Sequence, residues 1–392
     1  MNRIDMNKFE QKIVLNESLE EKSKIFESQS ITCIEDFSNE IFYEIFDYFN
    51  GYEIVEKFSN LNSQFDKLLY SSSFLIKTHF FLFHYKERII NTLNQLEKFS
   101  TKIYSNLKIL SISFSKNIDI LDAYRWEIII LNYYPELEKF YLNYYESINN
   151  DNPYPIYCGK INEFSSSFWI QKKWIFYVEI KFLNIEYKIR PYNEKWYDDR
   201  SNNIINYSTN LTLKFIYDSI LKEIERILTI TNIYHLEIFE KEMSIPILIQ
   251  IVNRLSEITT LKIHSLSTDN TAQITLEEID MLFLMKNTSN ITMVYLEQID
   301  DVGHLRFVFK LCPYMKYFKV GVTHSIDIQF FFRTIFMKTK HNNSRHFDSL
   351  CIHLPSADDK ILEDIKETIK YENLSTDFVI KYVLDNVYLT WK

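Results

Sequence analysis

The chain has 392 residues, of which 46% are hydrophobic, so it can form one large domain or a small domain with a large one. Its formal net charge of −9 argues against nucleic acid as a general partner, because a phosphate backbone calls for a positive surface. The four cysteines form no close pair and the glycines number only four, which argues against a zinc site, a disulfide framework and a glycine-rich phosphate loop.

The N-terminal region divides into a polar segment and a helical module. Residues 1–30 are polar and charged, so we expect a tail without a signal peptide. Residues 31–72 predict three short helices. The first has an amphipathic stripe that Asn50-Gly51 ends, and the third opens with the capping-box pair Ser63 and Asp66. The apolar stripe of the first helix consists of Ile41, Phe42, Ile45, Phe46 and Phe49.

In order and spacing, the module at 31–72 resembles an F-box. Ser38 stands where that family has a proline, and Phe65 stands where it has a tryptophan. The resemblance implies a three-helix domain that docks on a Skp-type adaptor and, through it, on a cullin. The residues that it places at the adaptor are Phe37, Ser38, Ile41, Ile45, Phe46, Phe49 and Leu61.

Beyond a predicted helical linker over 73–106, a repeated pattern begins at 107 and continues through 392. Each copy has apolar residues at positions i, i+3 and i+5. The starts at 107, 137, 233, 258, 291, 315 and 347 are about 24 to 33 residues apart, except for one long gap, which is typical of strand-plus-helix repeats. The copies are Leu107/Leu110/Ile112, Leu137/Phe140/Leu142, Ile233/Leu236/Ile238, Ile258/Leu261/Ile263, Ile291/Val294/Leu296, Met315/Phe318/Val320 and Phe347/Leu350/Ile352.

Helical patterns lie between the later copies, and the long gap holds a different element. Alternating aromatic residues followed by NIEYKIR predict an antiparallel β-hairpin insertion at 160–192. A strand at 211–215 and a helix at 219–228 then lead back to the repeat. The remaining predicted helices cover 246–258, 276–285, 304–312, 326–337 and 358–369.

These repeats resemble irregular leucine-rich repeats, although the asparagine that usually follows the strand is absent. The fold class that we predict is α/β, with a three-helix F-box-like module followed by a leucine-rich-repeat-like solenoid that carries the hairpin. Outward positions on the repeat strands are the candidates for binding a target: Tyr141, Phe239, Lys262, Tyr295, Tyr317 and Lys319.

We find no pattern of catalytic or metal-ligating residues. His235, His264 and His353 fall on outward positions of three repeat strands but have no zinc-ligand spacing. The serine triplets lack a nucleophile-elbow setting, and Cys351 lies within an apolar strand. We therefore expect no enzymatic activity, no metal and no cofactor.

The two resemblances together imply a substrate receptor of a cullin–RING ubiquitin ligase of the SCF type. The F-box-like segment would bind the adaptor, and the repeats would bind a protein target. The negative net charge leads us to expect no nucleic-acid partner, and we expect no membrane partner because no apolar run is long enough to span a bilayer. The cysteine pattern fits a reducing compartment, so the expected location is the cytoplasm or the nucleus. The alternative is a repeat-based interaction scaffold outside ubiquitination, with a degenerate F-box.

Overall fold

A computed structural model describes most of the repeat region and a few positions before it. The described residues are 38, 41–42, 61, 76–79, 107–115, 118–148, 157, 160–161, 163–182, 184–192, 209–217, 219–267, 289–323, 326–341, 347–354, 363, 365–368, 371 and 378–391. The chain divides into two compact units, Met1–Phe74 and Leu75–Lys392.

The first unit is described at four positions. The carbonyl of Ser38 accepts hydrogen bonds from the backbone N–H groups of Ile41 at 3.1 Å and Phe42 at 3.3 Å, which is how a helix begins. Phe42 is fully buried, whereas Ile41 is 42% and Leu61 is 56% exposed. The rest of the predicted three-helix module, with Phe37, Ile45, Phe46 and Phe49, lies outside the described residues.

Within the second unit, the described residues contribute thirteen strands to one sheet in the order β1-β2-β3-β5-β4-β6-β7-β8-β9-β10-β11-β13-β12. The strands are β1 Ile76–His79, β2 Ile109–Ser115, β3 Lys139–Ser147, β4 Trp174–Ile180, β5 Asn184–Pro191, β6 Thr209–Leu213, β7 His235–Ile238, β8 Thr260–Ile263, β9 Met293–Ile299, β10 Tyr317–Val322, β11 Ser349–His353, β12 Phe378–Val383 and β13 Asn386–Trp391.

The described helices lie between these strands in the chain. They are α1 Ala123–Tyr133, α2 Ser167–Lys172, α3 Ile220–Leu228, α4 Ile245–Arg254, α5 Val302–Leu311 and α6 Ile328–His341. Local signals start several of them. Asp122 accepts from Arg125 N–H at the start of α1, Asp301 accepts from Gly303 N–H at the start of α5, and Pro246 lies in the first turn of α4.

Most neighbouring strands are parallel and adjacent in sequence, from β1 to β3 and from β6 to β11. Because crossover connections are right-handed and each step here advances in the same direction, the helices lie on one face of the sheet. Contacts of α3 with α4 and of α5 with α6 agree with this placement. We call the helix side the covered face and the other side the open face.

The covered face is a continuous apolar layer. Leu211, Leu236, Leu261, Val294 and Phe318 are in register on successive strands and are at most 1% exposed. These residues are the middle apolar position of the predicted repeat or its equivalent in β6. Burial of this layer is the main source of stability for the unit, because neither a strand nor a helix can bury its apolar side alone.

The antiparallel pair predicted within 160–192 is present as β4 and β5. It does not project from the sheet. Strand β5 pairs antiparallel with β3, and β4 pairs parallel with β6, so the hairpin fills the space between two sets of parallel strands. Its covered side has an aromatic core, in which Phe140, Trp169 and Trp174 contact one another with ring centroids 5.6–6.1 Å apart.

The prediction of a mixed α/β fold is confirmed, and a strand lies at each of the seven repeat copies. Helices α3, α4, α5 and α6 overlap the predicted helices 219–228, 246–258, 304–312 and 326–337. Residues 76–79 are extended, whereas the sequence predicts a helical linker over 73–106. Pairing with Leu110–Ser113 of β2 gives them ladder hydrogen bonds that a helix would forgo. The predicted helix at 276–285 lies outside the described residues.

Candidate functional site

The open face is polar along its centre, where two rows of side chains cross strands β6 to β11. In the first row the register aligns Asn210, His235, Thr260, Met293, Tyr317 and Ser349. In the second row it aligns Thr212, Glu237, Lys262, Tyr295, Lys319 and Cys351. Parallel strands spaced about 4.8 Å apart bring the members of each row into side-by-side contact.

A cleft of about 430 Å³ lies on these rows, within the range of about 300–1,000 Å³ typical of ligand pockets. Every described residue that lines it belongs to one of the strands β6 to β11, so the sheet itself forms its floor. The lining residues are Asn210, Thr212, His235, Leu236, Glu237, Thr260, Lys262, Tyr295, Leu296, Glu297, Lys319, Gly321 and His353.

The strongest electrostatic feature of the cleft is a lysine shared by two carboxylates, which we call the cleft triad. Lys262 Nζ lies 2.9 Å from Glu237 Oε1 on β7 and 2.9 Å from Glu297 Oε1 on β9. Glu237 is only 5% exposed. Burial raises the pKa of Glu237 in spite of the opposing effect of Lys262. Burial acts to lower the pKa of Lys262, but the hydrogen bonds that it donates to Glu237 and Glu297 outweigh burial and raise that pKa.

Gly321 of β10 allows the neighbouring strand to approach the cleft closely. A Cβ atom at this position would lie 2.1 Å from the carbonyl oxygen of Glu297 on β9. The register between β9 and β10 shifts at Val320/Val322, which is the irregularity that brings the two backbones together. Glycine is therefore required here by space.

Aromatic side chains flank the triad. Tyr295 and Tyr317 have ring centroids 5.5 Å apart, on neighbouring strands. Phe239, just beyond the end of β7, is 37% exposed, and its ring lies 3.5 Å from Lys214 Nζ and 5.8 Å from Lys262 Nζ. Such rings offer flat surfaces that attract cations.

A second charged network covers the open side of the hairpin. Lys181 Nζ lies 2.7 Å from Glu186 Oε1, and Lys188 Nζ lies 2.7 Å from Glu179 Oε2. Lys214 on the next strand reaches Glu179 at 3.9 Å. Each charged group in this network has an opposite charge beside it, and its three lysines and two glutamates leave an excess of one positive charge on this side of the cleft.

The six sequence-predicted target-binding residues fall into three places. Lys262, Tyr295 and Lys319 line the cleft, and Tyr317 and Phe239 lie beside it. Tyr141 is on β3, opposite Ser111, and the hairpin and β6 separate it from the cleft. Of the three histidines, His235 and His353 line the cleft, whereas His264 lies 4.0 Å from Glu297. His235 is 6% exposed, less than an outward position predicts.

The sequence-based residue set omits part of the cleft floor. Asn210, Thr212 and Thr260 are small polar residues on strands, and only their register with Glu237 and Lys262 marks them as part of a site. Gly321 carries a signal of its own, since a glycine inside an apolar strand often indicates close backbone approach. That signal identifies a tight contact but not a binding site.

Within the described residues, no group of three or more histidine, cysteine or carboxylate side chains is placed to hold a metal ion. None of the described helices is long and apolar enough to cross a membrane.

No protein-family model matches the chain, and no curated protein or solved structure matches it.

Proposed function

We propose that the chain is a substrate receptor of an SCF-type cullin–RING ubiquitin ligase. The F-box-like segment 31–72 docks on a Skp-type adaptor, and the open face of a leucine-rich-repeat-like α/β solenoid binds a protein target. Such a receptor performs no chemistry itself. It holds the target near a ubiquitin-charged enzyme and so raises the effective concentration of the reacting groups.

The observation that carries the proposal is the difference between the two faces of the sheet. Helices and an apolar layer occupy one face, whereas the other presents a polar cleft, aromatic rings and charged side chains over six neighbouring strands. Aromatic groups with adaptable polar neighbours are the composition that protein interfaces favour.

The adaptor half of the proposal rests on the resemblance of residues 31–72 to an F-box. Two of the residues carried over from that resemblance, Ile41 and Leu61, are large apolar side chains that are 42% and 56% exposed. Exposed apolar side chains such as these are available to a partner. Their burial in a complex would stabilise it by roughly 1.5–3 kcal/mol for each side chain that becomes fully covered.

The test is a binding experiment between the purified full chain and a Skp-type adaptor. We expect a stable complex by size-exclusion chromatography and calorimetry, and we expect Ile41→Asp and Leu61→Asp to weaken it at least about tenfold. Ile161→Asp is the matched control, because Ile161 is 54% exposed and belongs to the other unit. Circular dichroism confirms that each variant stays folded.

Failure of the unmodified chain to bind the adaptor would refute the receptor function. It would favour the alternative, a repeat-based scaffold outside ubiquitination with a degenerate F-box. Two departures from the F-box pattern fit that alternative: Ser38 stands where the family has proline, and Phe65 stands where it has tryptophan. In that case the open face remains a protein-binding surface, and only the connection to a ligase is lost.

A further inference from the structure

The floor of the cleft contains a carboxylate oxygen that lacks a donor. Glu237 is 95% buried, as its 5% exposure shows, and its Oε1 is paired with Lys262. Its Oε2 has no hydrogen-bond partner among the described residues, and the same is true of the hydroxyl of Thr260, which is 5% exposed on the next strand. Both residues line the cleft. Buried polar atoms are costly unless they are paired, so these two acceptors favour a ligand that donates hydrogen bonds.

The charge of the cleft triad favours a positive ligand. One lysine between two carboxylates leaves an excess of one negative charge at the site. The other lysine that lines the cleft, Lys319, is on β10, three strands from Glu237 and therefore about 14 Å away across the sheet. At that separation the interaction is largely screened in physiological salt. Lys214 Nζ lies 3.9 Å from Glu179 on the neighbouring strand, which it shares with Lys181 and Lys188, so its charge is only partly offset.

The shape of the site distinguishes between positive ligands. A guanidinium is planar, carries five N–H donors and stacks on aromatic rings, whereas an ammonium is a compact and strongly hydrated point charge. Glu237 Oε2 and Thr260 Oγ1, on neighbouring strands, supply two acceptors for the donors of a guanidinium, and the ring of Tyr295 lines the same cleft. The cleft of about 430 Å³ has room for one long side chain and the backbone that carries it.

We propose that the cleft binds an arginine side chain of the target polypeptide, with the guanidinium donating to Glu237 Oε2 and to Thr260 Oγ1 on the neighbouring strand. This assignment rests on the proposed function in taking the ligand to be part of a protein target. The arginine enters from the open side of the sheet, and the flanking residues of the target lie across strands β6 to β11.

The test uses the full chain and three small probes: N-acetyl-arginine methylamide, its lysine counterpart, and its citrulline counterpart, which has the same shape without the charge. Binding is followed by NMR of labelled threonine methyl groups, in which Thr212 and Thr260 report on the cleft. We expect saturable binding of the arginine probe and weaker binding of the lysine probe. The citrulline probe should bind about tenfold or more weakly than the arginine probe, because hydrogen bonds in which the donor is charged are stronger than those between neutral groups.

Two variants connect the binding to the named atoms. Glu237→Gln keeps the shape of the side chain but removes its charge, and we expect it to weaken the arginine probe by about tenfold or more. Thr260→Val keeps the β-branched shape of a strand residue and removes the second acceptor, with a smaller loss expected. Glu138→Gln is the control, because Glu138 forms an ion pair on an exposed surface, with 59% of its side chain accessible.

Equal binding of the arginine and citrulline probes, absence of arginine binding up to its solubility limit, or arginine binding unchanged in Glu237→Gln would each overturn the proposal. These outcomes are separable from those of the adaptor experiment. A chain that binds the adaptor but not the arginine probe keeps the ligase function and loses this site. A chain that binds the probe but not the adaptor keeps the site and loses the ligase.

Discussion

Two clusters, each with one positive and two negative side chains, lie on opposite faces of the sheet. On the open face, Lys262 is shared by Glu237 and Glu297. On the covered face, Arg226 of α3 pairs with Glu146 of β3 and has Glu223 one turn earlier on its own helix, at 3.5 Å. We call the second group the covered triad. Each cluster has one cation and two carboxylates, and each connects elements that are distant in the sequence.

Their surroundings differ. The three side chains of the covered triad are 3–10% exposed, whereas Lys262 and Glu297 are 32% and 43% exposed. Glu146 occupies a covered-face position of β3, in line with Phe140, Leu142 and Tyr144. Side chains that are enclosed in this way compensate one another's charge within the structure. The same charges beside an open cleft can exchange part of their pairing with a ligand.

The largest expected difference between the two triads is in stability, and Arg226→Met tests it. It leaves two carboxylates buried without their cation, and we expect it to lower the free energy of unfolding by about 3–5 kcal/mol, the usual cost of breaking a buried ion pair from one side. Chemical denaturation measures the change. Arg254→Met is the control, because its pairing with Glu225 is on an exposed surface, and we expect a cost of about 0–1 kcal/mol.

A combined variant separates charge from packing in the covered triad. Replacing Glu146 and Glu223 with glutamine in the Arg226→Met background removes the unpaired charges, so we expect it to recover much of the lost stability. Recovery would show that the role of the triad is charge compensation. A combined variant as unstable as Arg226→Met would instead assign the loss to the packing of the arginine stem.

The next effect concerns the open face, where Gly321 lies close to the backbone of Glu297. We expect Gly321→Ala to lower the free energy of unfolding by about 1–3 kcal/mol, because the added methyl group meets a backbone oxygen and not a movable side chain. Thermal and chemical denaturation both measure this change, and the arginine probe should bind the variant more weakly than the unmodified chain.

Gly303 provides the contrasting glycine. A Cβ atom there would meet the carboxylate of Asp301 at 3.2 Å, a contact that a flexible side chain can relieve. Gly303 lies in the first turn of α5, and alanine stabilises a helix relative to glycine by up to about 1 kcal/mol. We therefore expect Gly303→Ala to be neutral or slightly stabilising. Similar losses for both glycine variants would contradict the explanation by close strand approach.

The smallest expected effect is the dependence on pH. Burial raises the pKa of both Glu146 and Glu237, although each has a cation beside it. A carboxyl whose pKa is higher in the folded state costs stability when it is ionised, and that cost disappears as the pH falls through the folded-state pKa. The unfolded-state pKa of a glutamate is about 4.3. As the pH is lowered from 7 toward that pKa, the unmodified chain should therefore gain stability relative to Glu237→Gln.

The unmodified chain should also gain stability relative to Glu146→Gln as the pH falls. The two variants should differ, however, in how pH affects ligand binding. Protonation of Glu237 removes the negative charge that receives the guanidinium, so binding of the arginine probe should weaken as the pH falls. Glu146→Gln should keep that pH dependence, and Glu237→Gln should lose it. The titration described above, repeated at several pH values, measures both.

The repeat strands could be predicted because each of them alternates between a buried and an open side. The spacing also places Glu237, Lys262, Tyr295 and Lys319 in the same slot of successive repeats, between the last two apolar positions. Parallel pairing turns that slot into a row across the sheet. Tyr141 occupies the same slot, but it is not part of the cleft because the hairpin separates β3 from β6.

The pairing of the hairpin and the triads could not be predicted in the same way. Which edge of β5 meets β3 depends on contacts between segments that are far apart in the sequence, and no local pattern encodes them. Arg226 reads in the sequence as an ordinary helix residue. Glu146 does carry a signal, since a glutamate at a buried position of a strand calls for a cationic partner, but the sequence does not say which one.

The strand order around the hairpin has a consequence for the way the chain folds. The chain leaves β3, forms β4 two positions away in the sheet, and returns to fill the space with β5. The parallel strands on either side can each grow by local additions, as repeat proteins do. They cannot join until β5 is in place, because no other described strand bridges β3 and β4. The hairpin is therefore the expected late step of assembly, and folding should slow when its turn between Ile180 and Asn184 is lengthened.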